Sequence, residues 1–174
     1  FTGGTVDLAT GSTSWAIEFA YDSDNTFDVT SPVIVRQGSY VAHTGDDVFN
    51  GTVLVEDDSY VGYTYRNLNG ISTVFNETVT LGENVNLRAV ENITFNSTFD
   101  VGSGSTVRVS DYGGTSLFVG NVTFADTVTF YADREAVFSG DLVFGNRTIA
   151  QFNNDDGSTT VSGVTTFGDS TVQA

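Results

Sequence analysis

The chain contains no cysteine, no lysine and no methionine, and it has one histidine and one proline. Without cysteine it can form neither a disulfide framework nor a thiolate metal site. The chain has 6 arginines and 22 acidic residues, which gives a net charge of −16. Such a chain lacks the basic surface that nucleic-acid binding requires, so we expect no nucleic-acid partner. No apolar run approaches the roughly 20 residues of a membrane-spanning helix, so we expect no membrane span.

The sequence also lacks the common signatures of catalysis. His43 is the single histidine, and there is no Gly-x-Ser-x-Gly turn, no Ser-x-x-Lys pair and no metal-binding histidine pair. The chain is therefore predicted not to be an enzyme and to carry no organic cofactor. A polysaccharide-degrading enzyme that uses a pair of carboxylates is a weaker hypothesis, since the many acidic residues always offer pairs.

The residues that are abundant favour β-strands. Valine, threonine, isoleucine, phenylalanine and tyrosine dominate, whereas residues that favour helices are scarce. Apolar and polar residues alternate in segments such as 106–110 and 122–130. Turn residues recur at short intervals, for example at 102–104, 113–114 and 139–141. This pattern predicts an all-β chain of many short strands.

A short motif occurs six times along the chain: a phenylalanine, then threonine three or four residues later, then an apolar residue. The copies are Phe49–Val53, Phe75–Val79, Phe95–Phe99, Phe124–Val128, Phe144–Ile149 and Phe167–Val172, and the phenylalanines are 26, 20, 29, 20 and 23 residues apart. Periods of this length are typical of stacked repeats. The motif predicts a β-solenoid-like stack of about six irregular repeats of 20–29 residues, with phenylalanine and threonine forming ladders between coils. The alternative is an antiparallel β-sandwich completed by strand exchange.

Residues 1–48 lack the motif and hold the only tryptophan, proline and histidine. We expect this segment to be a β-rich N-terminal cap or assembly segment, and residues 49–174 to be the repeat region. A repeat stack needs caps at its ends, because open strand edges pair with other chains. The sixth motif copy has no such cap, and Val164, Phe167 and Val172 are its predicted assembly edge.

Six Asn-x-Thr sequons occur, more than the asparagine and threonine content would give by chance, at Asn50, Asn76, Asn92, Asn96, Asn121 and Asn146. They predict N-linked glycans on a secreted surface. The other interpretation is structural, because asparagine favours bends and threonine favours strands. The sequence alone does not separate the two.

Acidic clusters are candidate calcium sites. Asp22, Asp24 and Asp28 could offer three carboxylates to one ion, although the glycine and terminal glutamate of an EF-hand loop are missing. Solvated acidic loops are the other interpretation. Calcium is therefore a weaker prediction, and its role would be to neutralise like charges between subunits.

The repeats of residues 49–172 resemble those of secreted microbial β-solenoid and fibre proteins, namely archaeal surface filaments and sheaths, adhesins and phage tail fibres. The acidic residues, the sequons and the lack of lysine look most like an archaeal cell-surface glycoprotein. This resemblance implies an extracellular structural subunit that forms a filament, sheath or surface layer through strand pairing with copies of itself. A carbohydrate-binding adhesin or tail-fibre domain is the alternative. The chain begins at Phe1, which indicates a processed polypeptide or a trimmed fragment, and we favour processing on secretion.

Overall fold

The computed structural model describes residues 6–8, 17–19, 27–43, 47–63, 72–111, 113–152 and 157–173. Within these ranges the chain is all-β and has no helix. It follows that none of the described residues lies in a helix that could cross a membrane.

The strands form three parallel sheets. Sheet A contains β1 (Val6–Leu8), β4 (Val33–Val35), β7 (Val53–Val55), β10 (Val79–Leu81), β13 (Phe99–Val101), β16 (Val122–Phe124), β19 (Leu142–Phe144) and β22 (Thr165–Phe167). Sheet B contains β2 (Ile17–Phe19), β5 (Tyr40–His43), β8 (Tyr60–Tyr63), β11 (Asn86–Arg88), β14 (Thr106–Val109), β17 (Thr129–Ala132), β20 (Ile149–Phe152) and β23 (Thr171–Gln173). Sheet C contains β3 (Phe27–Val29), β6 (Asp47–Phe49), β9 (Ser72–Phe75), β12 (Asn92–Phe95), β15 (Thr115–Phe118), β18 (Glu135–Phe138) and β21 (Thr159–Val161).

The chain visits sheets A, B and C in turn, so three strands make one coil. The described strands form seven coils of three strands, followed by β22 and β23 of coil 8. Every pairing between described strands is parallel and joins a coil to the next one. The predicted β-solenoid is therefore confirmed, and the antiparallel sandwich is not the fold.

The described strands of the N-terminal segment belong to the same stack. Strands β1 to β6 pair in parallel with the strands that follow them in each sheet. The expected boundary between residues 48 and 49 falls within β6, and β6 continues sheet C into β9 in register, with Phe49 opposite Phe75. Whether residues 1–48 act as a cap stays a prediction.

A residue of left-handed conformation turns the chain from sheet A to sheet B in each of coils 2 to 7. These six residues occupy equivalent positions, one before the last residue of the corner: Gly38, Asp58, Asn84, Gly104, Thr127 and Arg147, with φ between 55° and 73°. Glycine, asparagine and aspartate tolerate this conformation best. The repeated turn lets strands of three or four residues close into a coil.

The core lies between the three sheets. Along the strands, buried residues alternate with more exposed ones, as in β7 and β16. Seven phenylalanines are among the largest fully buried side chains: Phe95, Phe99, Phe118, Phe124, Phe130, Phe138 and Phe144. Large apolar side chains from all three sheets thus fill the interior.

The expected single phenylalanine ladder is wrong, because the motif copies lie on two sheets. Sheet C carries a stack of Phe49, Phe75, Phe95, Phe118 and Phe138, with ring centroids 4.5–5.1 Å apart between neighbours. Sheet A carries a second stack of Phe124, Phe144 and Phe167, at 5.4 and 5.3 Å. The 29-residue step from Phe95 to Phe124 is therefore a change of sheet and not a longer coil.

An interior and a terminal phenylalanine of these stacks offer a test of core packing. Phe118 is fully buried between Phe95 and Phe138, whereas Phe167 is 54% exposed. We expect Phe118→Ala to lower the free energy of unfolding by about 3–5 kcal/mol, because it leaves a cavity. Phe167→Ala should cost only about 1 kcal/mol, since less surface is removed from contact. Urea denaturation measures both, and equal losses would contradict this packing.

A second test separates backbone strain from steric conflict at the A-to-B corner. A Cβ at Gly38 would meet nothing within 4 Å, whereas one at Gly104 would lie 2.5 Å from Oδ1 of Asn84. Because both residues have positive φ, Gly38→Ala should lower the free energy of unfolding by about 1 kcal/mol. Gly104→Ala should cost more, because Asn84 must also move. A larger loss for Gly38→Ala in urea denaturation would refute this.

Candidate functional site

The C-terminal end of the stack is the candidate site. Among the described strands, β21, β22 and β23 are each the last of their sheet and pair with one neighbour only. This end, which we call the open rung, carries the predicted assembly residues Val164, Phe167 and Val172. It combines unpaired backbone groups with exposed apolar side chains.

The backbone of β22 shows how the open rung is arranged. One coil earlier, Leu142 donates its N–H towards coil 8 at 2.9 Å, and the carbonyl of Phe144 accepts from Gly168 at 2.7 Å. Thr165 and Phe167 stand in register with these two residues. Their N–H and C=O groups therefore face away from coil 7, where no described strand pairs with them.

Three apolar side chains of the open rung are exposed, and for Phe167 and Val172 the reason is that no further coil of the described residues covers them. Val164 is 67%, Phe167 54% and Val172 41% exposed, whereas Phe144, directly below Phe167, is 2% exposed. Phe167 and Val172 are aligned with the buried residues Phe144 and Ala150, so they occupy core positions. Val164 lies at the corner before β22. The predicted assembly residues thus lie together at one end of the stack.

Polar side chains at the coil edges also form ladders that end at the open rung. Oδ1 of Asp126 accepts the N–H of Asn146 at 2.7 Å, and Oδ1 of Asn146 accepts that of Asp169 at 3.2 Å. On sheet B, Nε2 of Gln151 donates to Oε1 of Gln173 at 2.8 Å. In each ladder the side chain of one coil bonds to the next coil, so Asp169 and Gln173 stand where the next bond of each ladder would form.

The six sequon asparagines lie at corners or at the start of a strand. Three of them stack at the corner from sheet C to sheet A: Nδ2 of Asn76 donates to Oδ1 of Asn50 at 2.5 Å, and Nδ2 of Asn96 donates to Oδ1 of Asn76 at 2.7 Å. The other three each accept a backbone N–H of the next coil: Asn92 from Thr115 at 2.9 Å, Asn121 from Asp141 at 3.0 Å and Asn146 from Asp169 at 3.2 Å. Their occupancy by glycans stays a prediction.

The predicted calcium residues fall largely outside the described part of the chain. Asp22 and Asp24 lie outside it, and Asp28 belongs to β3, where the backbone alone is described. Within the described residues no group of three or more metal-binding side chains is present. Calcium binding stays a prediction, as do the absence of enzymatic activity and of organic cofactors.

The outer face of sheet B carries a cluster that sequence reasoning missed. The rings of Tyr40 and Tyr60 stack with centroids 4.3 Å apart and planes 7° apart. A Cβ at position 62 would lie 2.7 Å from the Tyr60 ring, so Gly62 makes room for it. The signal was the 20-residue interval between two tyrosines that each begin a sheet B strand.

Farther along the same face, two arginines bridge successive coils. Arg88 forms an ion pair with Asp111, and Arg108 lies 3.2 Å from Asp111 and 3.5 Å from Asp133. The Arg108 guanidinium also lies over the Tyr131 ring, 4.8 Å from its centroid. Because both carboxylates are only 7% exposed, these pairs are screened less by solvent than surface pairs are. They hold coils 4, 5 and 6 in register.

In comparisons with known proteins, no family model, no curated protein and no solved structure matches the chain.

The tyrosine pair gives a prediction for alkaline pH. Burial, together with the neighbouring Tyr60, raises the pKa of Tyr40 to about 12 from 10.0. A raised pKa means that neutral Tyr40 stabilises the fold fully below about pH 10, and that this contribution is lost as the pH rises to about 12. Absorbance titration should show a late tyrosine step that Tyr40→Phe removes. Tyr60→Phe should lower the pKa of Tyr40, and an unchanged late step in both variants would contradict the assignment.

Proposed function

We propose that the chain is an extracellular structural subunit that assembles end to end with copies of itself through β-strand pairing. The observation that carries this proposal is the open rung, where unpaired backbone groups of Thr165 and Phe167 lie beside exposed core positions. Open edges of this kind are templates for strand addition.

An additional coil of β-strands fits the open rung better than a small ligand does. An added strand can satisfy the row of N–H and C=O groups and at the same time place an apolar side chain on Phe167, and a parallel strand does so in the arrangement that β19 and β22 already show. The spacing between paired strands, about 4.8 Å, agrees with the stack below it, where Phe144 and Phe167 are 5.3 Å apart. The partner that fits is therefore a strand that pairs with β22 in the register that β22 has with β19.

The first coil of a second copy supplies such strands. Within the part of the chain that the structure describes, β1, β2 and β3 are the first strands of their sheets, and each pairs with one later strand only. Their sequences Val-Asp-Leu, Ile-Glu-Phe and Phe-Asp-Val place apolar residues two apart, as the strands of other coils do. Contact between two different ends is head-to-tail, and it generates filaments where the rotation between subunits does not close into a ring.

The extracellular setting is supported by the sequons and by the acidic, lysine-free composition, which together resemble archaeal cell-surface glycoproteins. The same charge affects assembly, because subunits of charge −16 repel one another. Added salt screens this repulsion, since the Debye length falls to about 3 Å at 1 M. Assembly assays therefore include high ionic strength.

A carbohydrate-binding role is the second candidate, and the sheet B face favours it. Tyr40, Tyr60 and Tyr131 lie along this face, and tyrosine combines a rigid apolar ring with a polar tip that suits sugar surfaces. Binding of insoluble polysaccharides by the wild-type chain, reduced in Tyr60→Ala and retained in Thr166→Lys on sheet A, would support it.

Assembly is tested by blocking the open rung without breaking the coil below it. Thr165→Pro removes an N–H that faces away from coil 7, so the pairing of β22 with β19 should survive. We expect the wild-type chain to form filaments, and the variant to stay monomeric, in electron microscopy and analytical ultracentrifugation. Deleting coil 8 is a weaker test, because it would expose Leu142 and Phe144 of β19 as a new edge.

The matched control is Thr166→Lys, whose side chain lies on the outer face of the same strand, opposite the exposed Val143. It should assemble like the wild type. A wild-type chain that stays monomeric at all concentrations and salt levels, or a Thr165→Pro variant that still forms filaments, would refute the proposal. If the edge is covered by further coils of a longer polypeptide, the longer chain will be monomeric.

A further inference from the structure

We propose that Asn121 and Asn146 are the acceptors of N-linked glycans, and that the sequons at Asn50, Asn76 and Asn96 serve as internal hydrogen-bonding groups. The inference rests on the extracellular setting of the proposed function but not on self-assembly. The choice of acceptors follows from which asparagine Nδ2 atoms have a hydrogen-bond partner among the described residues and which do not.

Asn121 and Asn146 share one arrangement. Both side chains are exposed. In each, Oδ1 accepts a backbone N–H of the next coil, from Asp141 at 3.0 Å and from Asp169 at 3.2 Å. Among the described residues, no hydrogen-bond partner faces Nδ2 of either one. The carbonyl oxygen is fixed to the fold, and the amide nitrogen is left to solvent.

This division matches the chemistry of glycosylation. Nδ2 attacks the anomeric carbon of a glycosyl phosphate or pyrophosphate donor, and a C–N bond forms. The bond from that carbon to the phosphate oxygen breaks, the phosphate leaves with the electron pair, and one amide proton passes to a base of the transferase. The product keeps Oδ1, so the hydrogen bond to the next coil survives the modification.

The asparagine stack at the corner from sheet C to sheet A is different. Asn76 uses both ends of its amide, since Nδ2 donates to Asn50 at 2.5 Å and Oδ1 accepts from Asn96 at 2.7 Å. The nitrogen of Asn96 is engaged in the same stack. Successive rungs are about 4.8 Å apart, so a sugar on Nδ2 of Asn76 would occupy the space of the neighbouring amide.

The remaining sequon, at Asn92, shares the hydrogen bond of the two proposed acceptors but not their exposure. Asn92 binds the next coil through Oδ1 as Asn121 does, at 2.9 Å from the N–H of Thr115. Its side chain is half-buried on β12, however, whereas those of Asn121 and Asn146 are exposed. A glycan there would crowd the adjacent coil, so we expect no occupancy.

The chain itself shows that the fold does not require asparagine at the two acceptor positions. Asp126 accepts the N–H of Asn146 at 2.7 Å, and Asp141 accepts that of Val164 at 3.0 Å, one coil before and one coil after the positions in question. A carboxylate oxygen therefore accepts the same hydrogen bond from the next coil. Asn→Asp is a matched substitution that removes the nitrogen and keeps the acceptor.

The experiment is expression of the 174-residue chain through a eukaryotic secretory pathway, followed by intact mass and glycopeptide mapping of the folded protein. We expect at most two glycans, at Asn121 and Asn146. Asn121→Asp and Asn146→Asp should each lose one glycan mass, and enzymatically deglycosylated samples should keep the wild-type Tm. Asn76→Asp should keep both glycans but lower the Tm by about 2–4 °C, because the donor to Asn50 is lost.

Glycans on Asn50, Asn76 or Asn96 of folded protein, or the absence of glycans from both Asn121 and Asn146, would overturn the inference. Filament formation is scored separately on the same samples. Filaments without glycans would leave the proposed assembly standing and reject this inference, whereas glycosylated monomers would do the reverse.

Discussion

Parallel pairing between successive coils is the constraint on which the rest of the structure depends. Because each strand lies about 4.8 Å from its equivalent in the next coil, every side chain sits on the residue that occupies the same position one coil away. Phe118 stacks between Phe95 and Phe138 for this reason, and Tyr40 stacks on Tyr60. A side chain therefore contributes more to stability when the equivalent position of the neighbouring coil carries a residue that can stack on it.

The corners determine whether this stacking can continue. Coils 2 to 7 turn from sheet A to sheet B through one residue of positive φ, and the hydroxyl groups of Ser59, Ser105 and Thr148 donate to backbone carbonyls of the preceding coil at 3.0 Å. Side-chain oxygens such as those of Asp57 and Asp126 accept N–H groups of the following coil at 2.7 Å. Polar residues at corners thus supply the hydrogen bonds that strand pairing does not.

The same logic connects the proposed assembly with the proposed modification. At the open rung the stacking interactions lack their next member, so Phe167 and the edge of β22 are suited to receive another rung. Asn121 and Asn146 lie at the two corners that flank sheet A, in coils 6 and 7, where Oδ1 binds the next coil and Nδ2 points to solvent. Glycans at these positions would project from the corners beside sheet A and leave the end of the stack free for strand pairing.

The sequence by itself determined the all-β class, because β-branched and aromatic residues with regular turn signals have few other solutions, and its repeated motif favoured the stacked coils and the edge residues at 164, 167 and 172. It could not show that Phe95 and Phe124 lie on different sheets, since the two sheets use similar apolar patterns and only the coil register distinguishes them. The pairing of Arg88 with Asp111 and the difference between Asn76 and Asn121 were likewise decided by the tertiary structure, because each depends on which residue lies one coil away.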